Sequence, residues 1–299
     1  MNRRTFIRRA NGALLAGIGL ASKHTEAATP RKNEADAVRK EQIPYKVTPS
    51  RALNLTVYYP PDWKVGDHRS AIVFYFGGGW QKGNVEQFAV QSTHFARRGL
   101  VACCADYRVK SKDNVTPEVC VEDAKSAVRW LRMNCERFGV APSRIAAGGG
   151  SAGGHLAACT ALTPDIVGPG EDAAIPSTTC ALVLFNPVLD FTGVPRLMER
   201  IANYEALART ISPTQHLNES SPPTVLFYGA EDPLLDQGKA FAAKAKELGL
   251  RADLHVTPDQ NHGFFNRPPF QGSTLKMADE FLVSIGLVSP ALKSGSSSR

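Results

Sequence analysis

No stretch of this 299-residue chain holds the roughly 18–20 consecutive apolar residues that a helix needs to cross a bilayer. No stable membrane anchor is therefore expected. Cys-x-x-Cys spacing is absent among its 6 cysteines, and no His/Asp/Glu grouping has metal-ligand spacing, so neither a metal nor another cofactor is expected. A Gly-Lys-Ser/Thr phosphate loop is missing as well. No internal repeat is visible. What remains is 43% hydrophobic and 21% charged, the balance of a globular chain with a sizeable core.

A formal net charge of +7 raises the question of a polyanion partner. Residues 1–28 carry Arg3, Arg4, Arg8, Arg9 and Lys23 against Glu26, and without them 30 Lys+Arg face 27 Asp+Glu, a net of +3. The remaining charge is dispersed, without the clustered Lys/Arg of a nucleic-acid footprint, so no nucleic acid is expected to bind. The N-terminal charge has its own pattern. Asn2 to Arg8 is basic with consecutive arginines before Phe6-Ile7, Ala10 to Ser22 is a short Gly/Ala-rich apolar run, and Glu26-Ala27-Ala28 offers small residues for cleavage. This resembles a twin-arginine export signal, which implies a periplasmic or secreted protein. Residues 29–45, polar and pattern-free over Thr29 to Gln42, read as a tether, 46–289 as one folded domain, and 290–299 as a Ser-rich disordered tail.

Export invites a disulfide reading of the cysteines, but their places argue for core thiols. Cys103 and Cys104 fall in an apolar run, Cys120 and Cys135 on one predicted helix, Cys159 on another, and Cys180 at a strand start. Free cysteine commonly behaves as a small buried hydrophobe.

Strand and helix patterns alternate through the domain. Leu53 to Tyr59 alternates as a strand, Ala71 to Phe76 and Leu100 to Ala105 are short apolar runs suited to buried strands, and Ala181 to Phe185, Thr224 to Tyr228 and Ala252 to Val256 are three further strand candidates. Between them Phe88 to Arg98, Thr116 to Phe138, Ala152 to Leu162, Gly238 to Leu248 and Pro269 to Ile285 suit helices, with Gly99 and Gly139 placed to end two of them. This order predicts a three-layer α/β sandwich with a mostly parallel central sheet. The irregular stretch Phe191 to Pro223 is the natural place for a small lid.

Chemistry concentrates at three points. Gly149-Gly150-Ser151-Ala152-Gly153 follows the short strand Ile145 to Gly148 and precedes a helix, as a Gly-x-Ser-x-Gly nucleophile turn requires. Small residues at 149 and 153 let the chain turn sharply enough to project the Ser151 hydroxyl. Phe76-Gly77-Gly78-Gly79-Trp80 ends an earlier buried strand, where backbone N–H groups can hold an oxyanion. Gly78, Gly79 and Ala152 are the candidate donors, and Trp80 the candidate substrate-binding wall. Among the 7 histidines, His262 lies on a loop after the last strand and is the candidate base. His155, four residues after Ser151, sits along the helix axis behind it and reads as a packing residue. The supporting acid should precede the base on a loop after a strand, which selects Asp232, with Glu231, Asp236 and Asp190 as alternatives.

With these residues in hand, the chain resembles the esterase/lipase branch of the α/β-hydrolase superfamily. It is similar to hormone-sensitive-lipase-like enzymes and to bacterial feruloyl and acetyl-xylan esterases. The matching marks are Phe76 to Trp80, Asp106-Tyr107-Arg108, Gly150 to Leu156, Ser212-Pro213, the Asp232 loop and His262-Gly263-Phe264, spread over about residues 45 to 285. The resemblance implies an α/β-hydrolase domain with a small lid, and a Ser151–His262–Asp232 triad acting on short-chain acyl esters. The substrate it implies is a small-molecule or oligosaccharide ester, acetyl or feruloyl carbohydrate esters among them. Two departures stand out. Phe76 replaces the histidine that usually opens the oxyanion loop, so that loop is expected to be held by apolar packing, and Gly150 stands where many relatives carry Asp. An amidase, arylformamidase or peptidase would use the same triad, and a non-catalytic binding protein could share the fold.

Overall fold

The computed structural model describes residues 37–164 and 166–290. The export signal expected at 1–28, the expected tether up to residue 36 and the expected tail from 291 lie outside the described residues.

Eight strands form one sheet: β1 (Arg39–Val47), β2 (Ala52–Tyr59), β3 (Arg69–Tyr75), β4 (Val101–Ala105), β5 (Val140–Gly150), β6 (Leu182–Phe185), β7 (Thr224–Gly229) and β8 (Ala252–Thr257). Their order is β1-β2-β4-β3-β5-β6-β7-β8. β1 and β2 pair antiparallel, as do β2 and β4, and every later pairing is parallel. The central strands are apolar throughout because helices cover both faces: all of β4, β6 and β7 is buried. On one face lie helices α1 (Ala89–Arg97) and α5 (Phe270–Ser284); on the other lie α2 (Pro117–Met133), α3 (Ala152–Leu162) and α4 (Leu235–Glu247). Three layers result, the architecture that the alternating pattern predicts.

The strand read as Ile145 to Gly148 begins at Val140, the helix read from Gly238 begins at Leu235, and two further differences have plain physical causes. The first strand begins at Arg39, inside the stretch read as a tether. It is an edge strand in which only Ile43 and Tyr45 are buried, so its outward Arg, Lys, Glu and Gln side chains mimic linker composition. Pro44 sits at a shift in its register with β2, where a missing N–H is tolerated. Lys46 anchors this edge to α2 through ion pairs with Glu122 at 2.6 Å and the fully buried Asp123 at 2.9 Å. The second difference is in the long helix, which stops at Met133 rather than Phe138. The Asn134 side-chain amide donates to the Trp130 carbonyl at 2.8 Å, competing with the backbone. A separate turn, Cys135–Phe138, then closes on Gly139 in the left-handed region (φ 62°). Cys120 and Cys135 therefore lie on different helices. All six cysteines are free, with Cys103, Cys104, Cys120 and Cys159 buried.

Between β6 and β7 the predicted lid is a cap of short helical turns, Pro195–Met198, Glu199–Ile201, Glu205–Thr210 and Pro213–His216.

Candidate active site

The carboxyl ends of β3, β5, β6, β7 and β8, neighbours in the sheet, lead to Gly77, Ser151, Asn186, Asp232 and His262. Open α/β sheets bind ligands at this edge, where strand order reverses on either side of a crevice; here the reversal falls between β3 and β5.

Ser151 is the pivot between β5 and α3, with φ 54° and ψ −118°, a conformation a non-glycine residue adopts only when its surroundings impose it. They do so here. Its N–H donates to the Phe185 carbonyl at 2.9 Å, and its own carbonyl accepts from His155 N–H at 3.0 Å. A Cβ on Gly149 would overlap the Gly153 carbonyl, and one on Gly153 the Tyr75 carbonyl. The turn is thus backbone against backbone, and the glycines two positions either side of Ser151 are sterically required.

His262 reaches both partners that the sequence suggests. Its Nδ1 lies 2.9 Å from Asp232 Oδ2 and its Nε2 lies 2.8 Å from Ser151 Oγ. An ionised carboxylate only accepts, so Nδ1 carries the proton and Nε2 is left to accept from the serine hydroxyl. The Asp232 side chain is fully buried, and its other oxygen accepts from Leu234 N–H at 2.8 Å. The alternative acids are occupied elsewhere: Asp190 accepts from Thr192 and Gln215, Asp236 from Lys239, and Glu231 is exposed.

The Gly77–Trp80 loop runs beside Ser151; a Cβ on Gly77 would stand 3.4 Å from that of the serine. Gly78, Gly79 and Trp80 all have positive φ (125°, 63° and 59°), and the Gly78 carbonyl accepts from Gln81 and Lys82 N–H. The N–H groups of Gly78 and Gly79 meet no acceptor among the described residues. Ala152 adds the first N–H of α3, a position without an intrahelical acceptor. The loop's brace is Phe76, whose ring stacks on Tyr107 with centroids 4.1 Å apart. Tyr107 also donates its hydroxyl proton to the Phe76 carbonyl at 2.7 Å, and a Cβ on Gly83 would overlap the Phe76 ring. Ring packing together with the Tyr107 hydrogen bond thus braces the loop where a histidine was expected.

Trp80 lines the cavity in front of Ser151 but is 2% exposed, and its indole N–H donates to His155 Nδ1 at 3.3 Å. His155 Nε2–H then donates to the Ile211 carbonyl at 2.7 Å. Burial lowers the His155 pKa to about 4 against the opposing effect of that carbonyl. His155 is therefore a neutral strut between the Trp80 loop, α3 and the cap, as its position behind Ser151 suggests.

Sequence reasoning missed four contributors. Asn186 follows β6 at φ 38°; its Oδ1 accepts from Gly263 N–H at 3.2 Å and its Nδ2 faces His262 Nε2 at 3.3 Å. The available signal was its place at a strand's carboxyl end. Gln87 Oε1 accepts from Gly77 N–H at 2.6 Å. Arg196 and Arg200, from the cap, line the cavity with Gly79, Trp80, Ser151, Leu197 and His262; no motif marks them. Among the described residues no group of His, Cys, Asp and Glu could hold a metal ion.

The BD-FAE family matches residues 55–246. Carboxylesterase NlhH of Mycobacterium tuberculosis is 31% identical over 72% of this chain and 72% of its own length. The propionate-bound structure of the thermophilic esterase Est2 from Thermogutta terrifontis is 44% identical, with TM-score 0.79, covering 84% of this chain and 96% of that one. The same esterase phosphorylated by paraoxon matches with equal coverage, identity and TM-score. The chain belongs to the BD-FAE family, among the esterase/lipase-type α/β-hydrolases, and is a serine hydrolase of carboxylic esters.

Proposed function

We propose that Ser151, His262 and Asp232 act as a catalytic triad that hydrolyses short-chain acyl esters. The observation that carries this reading is the unbroken hydrogen-bond line from Ser151 Oγ through His262 to Asp232. Ser151 Oγ attacks the ester carbonyl while its proton passes to His262 Nε2. The tetrahedral oxyanion is held by the N–H groups of Gly78, Gly79 and Ala152, which need no reorganisation because the loop is already braced. His262 returns the proton to the departing alcohol oxygen, leaving an acyl-enzyme. A water molecule then gives its proton to His262, attacks the acyl carbon, and releases the acid as Ser151 recovers its hydrogen. Asp232 fixes the imidazole tautomer and stabilises the imidazolium in both halves.

A cavity of about 250 Å³ is below the roughly 300–1,000 Å³ of pockets for drug-sized ligands, which supports a short acyl group; the propionate bound to the Thermogutta esterase points the same way. Small acyl groups on carbohydrates, acetyl foremost, fit this size. The basic N-terminal pattern supports export to the periplasm or beyond, which exchanging Arg3 and Arg4 for lysines and following the protein's location would test. The catalytic reading is tested with p-nitrophenyl acetate, butyrate and octanoate. Acetate and butyrate should be turned over and octanoate poorly, and Ser151→Ala should lose at least about 10³-fold in kcat. A fluorophosphonate should label the wild type at Ser151. A folded wild type that neither labels nor outperforms Ser151→Ala refutes the triad.

A further inference from the structure

The cap presents two arginines to the reaction centre that no acid among the described residues pairs with. Arg196 lies in the turn Pro195–Met198 and Arg200 in the turn Glu199–Ile201. Four residues apart on successive helical turns, they project from one face, and both line the cavity that contains Ser151 and His262. Arg200 reaches furthest in, since a Cβ on Gly79 would stand 3.5 Å from its Nη2. Neither guanidinium has a hydrogen bond or ion pair among the described residues. Six arginines elsewhere, Arg51, Arg69, Arg98, Arg108, Arg129 and Arg251, each pair with a carboxylate, and Arg132 and Arg144 donate to backbone carbonyls. No Asp or Glu lines the cavity. Asp232, behind His262, is buried and committed to His262 and the Leu234 N–H.

We propose that Arg196 and Arg200 are specificity residues that bind a carboxylate on the substrate, so that the preferred esters are anionic. This rests on the reading of Ser151 as nucleophile. A guanidinium offers paired N–H donors in the geometry of a carboxylate. A low-dielectric cleft with charge of one sign raises the local concentration of an oppositely charged substrate. Leu197 and Trp80 supply the apolar wall between the charged end and the ester. The class indicated is a short acyl ester in which either the acid or the alcohol half bears a free carboxylate, as a sugar acid or a phenolic acid does.

The test uses pairs of esters that differ in charge and little else. On the alcohol side, 3-(4-acetoxyphenyl)propanoate is compared with its neutral amide; on the acyl side, monomethyl succinate with methyl butyrate. In the wild type at least one anion should exceed its neutral partner about ten-fold in kcat/KM, and the preference should shrink between about 0.05 and about 0.5 M salt. In the Arg196→Gln/Arg200→Gln variant the ratio should fall to about one, whereas Arg196→Lys/Arg200→Lys should keep part of it. No preference in the wild type, or equal loss on charged and neutral esters, overturns the proposal, the latter because Arg200 would then serve the oxyanion. Calorimetric titration of Ser151→Ala with succinate and with 3-(4-hydroxyphenyl)propanoate gives a readout free of catalysis. If no ester is hydrolysed, it is the esterase reading that fails. Carboxylate binding that disappears with the two arginines then still supports the anion site, and absence of binding overturns it.

Discussion

The ring of Phe76 lies between Tyr107 and Gly83, so contact area helps the Tyr107 and Gln87 hydrogen bonds hold the loop bearing Gly78 and Gly79. Replacing it with alanine removes that area from a buried position. Phe76→Ala should lower stability by about 3–5 kcal/mol, measured by denaturant unfolding, and should lower kcat more than it raises KM because the N–H groups lose their aim. Asn186 is a second position where one side chain organises others. Its backbone already has a positive φ, which glycine adopts without strain, so Asn186→Gly removes the amide and spares the turn. We expect kcat to fall about ten- to hundred-fold through a misplaced imidazole, with KM little changed, in steady-state hydrolysis of p-nitrophenyl acetate. Residues of this kind leave little trace in a single sequence. Ser151 and its flanking glycines are legible because the turn's sterics demand particular residue types at particular spacing. Asn186 and Gln87 act through side-chain reach across separate elements, which no spacing encodes.

At the scale of elements, α3 is tied to the cap through His155, whose ring bridges the Trp80 indole and the Ile211 carbonyl. Burial depresses its pKa to about 4, below the roughly 6.5 of an unfolded histidine. Above about pH 6.5 the ring is neutral in both states and contributes no pH dependence. As the pH falls towards 4 the unfolded chain takes up a proton that the native state refuses, so stability is lost through that window. The full loss is about 3 kcal/mol. Unfolding free energies measured from pH 7 to pH 4 should fall less steeply in His155→Gln than in the wild type; parallel curves would assign the acid sensitivity to other groups. The elements themselves were unequally legible. Central strands such as β4 and β7 stand out as apolar runs because both faces are covered. β1 does not, since only two of its side chains turn inward, and the cap's short turns are too brief to show a helical period.

For the whole molecule, the edge farthest from His262 is closed by β1, whose Lys46 enters a cluster with Glu122, Asp123 and Glu171. Arg108, from the Asp-Tyr-Arg segment, meets Asp123 in the same cluster at 2.7 Å. Lys46→Met would leave three carboxylates sharing one fewer cation. Breaking such a part-buried arrangement from one side, with Arg108 and Arg129 still in place, costs about 1–3 kcal/mol, so the thermal midpoint should drop by a few degrees while kcat on a neutral ester at 25 °C stays near that of the wild type. A comparable loss of kcat at unchanged fold would mean that the cluster reaches the site through Arg108 and Tyr107.

The division between strands and cap also bears on how such a protein can diversify. At Gly149 and Gly153 the chain is main chain packed on main chain, and any side chain added there collides with a carbonyl. The cap meets the same cavity with side chains alone, Arg196, Leu197 and Arg200. Inheritable variation is therefore partitioned: drift at 149 and 153 is purged as loss of the fold, and drift at 194–201 survives as a change of diet. Randomising each segment and selecting on several esters should give active variants with altered preference from the second library and almost none from the first.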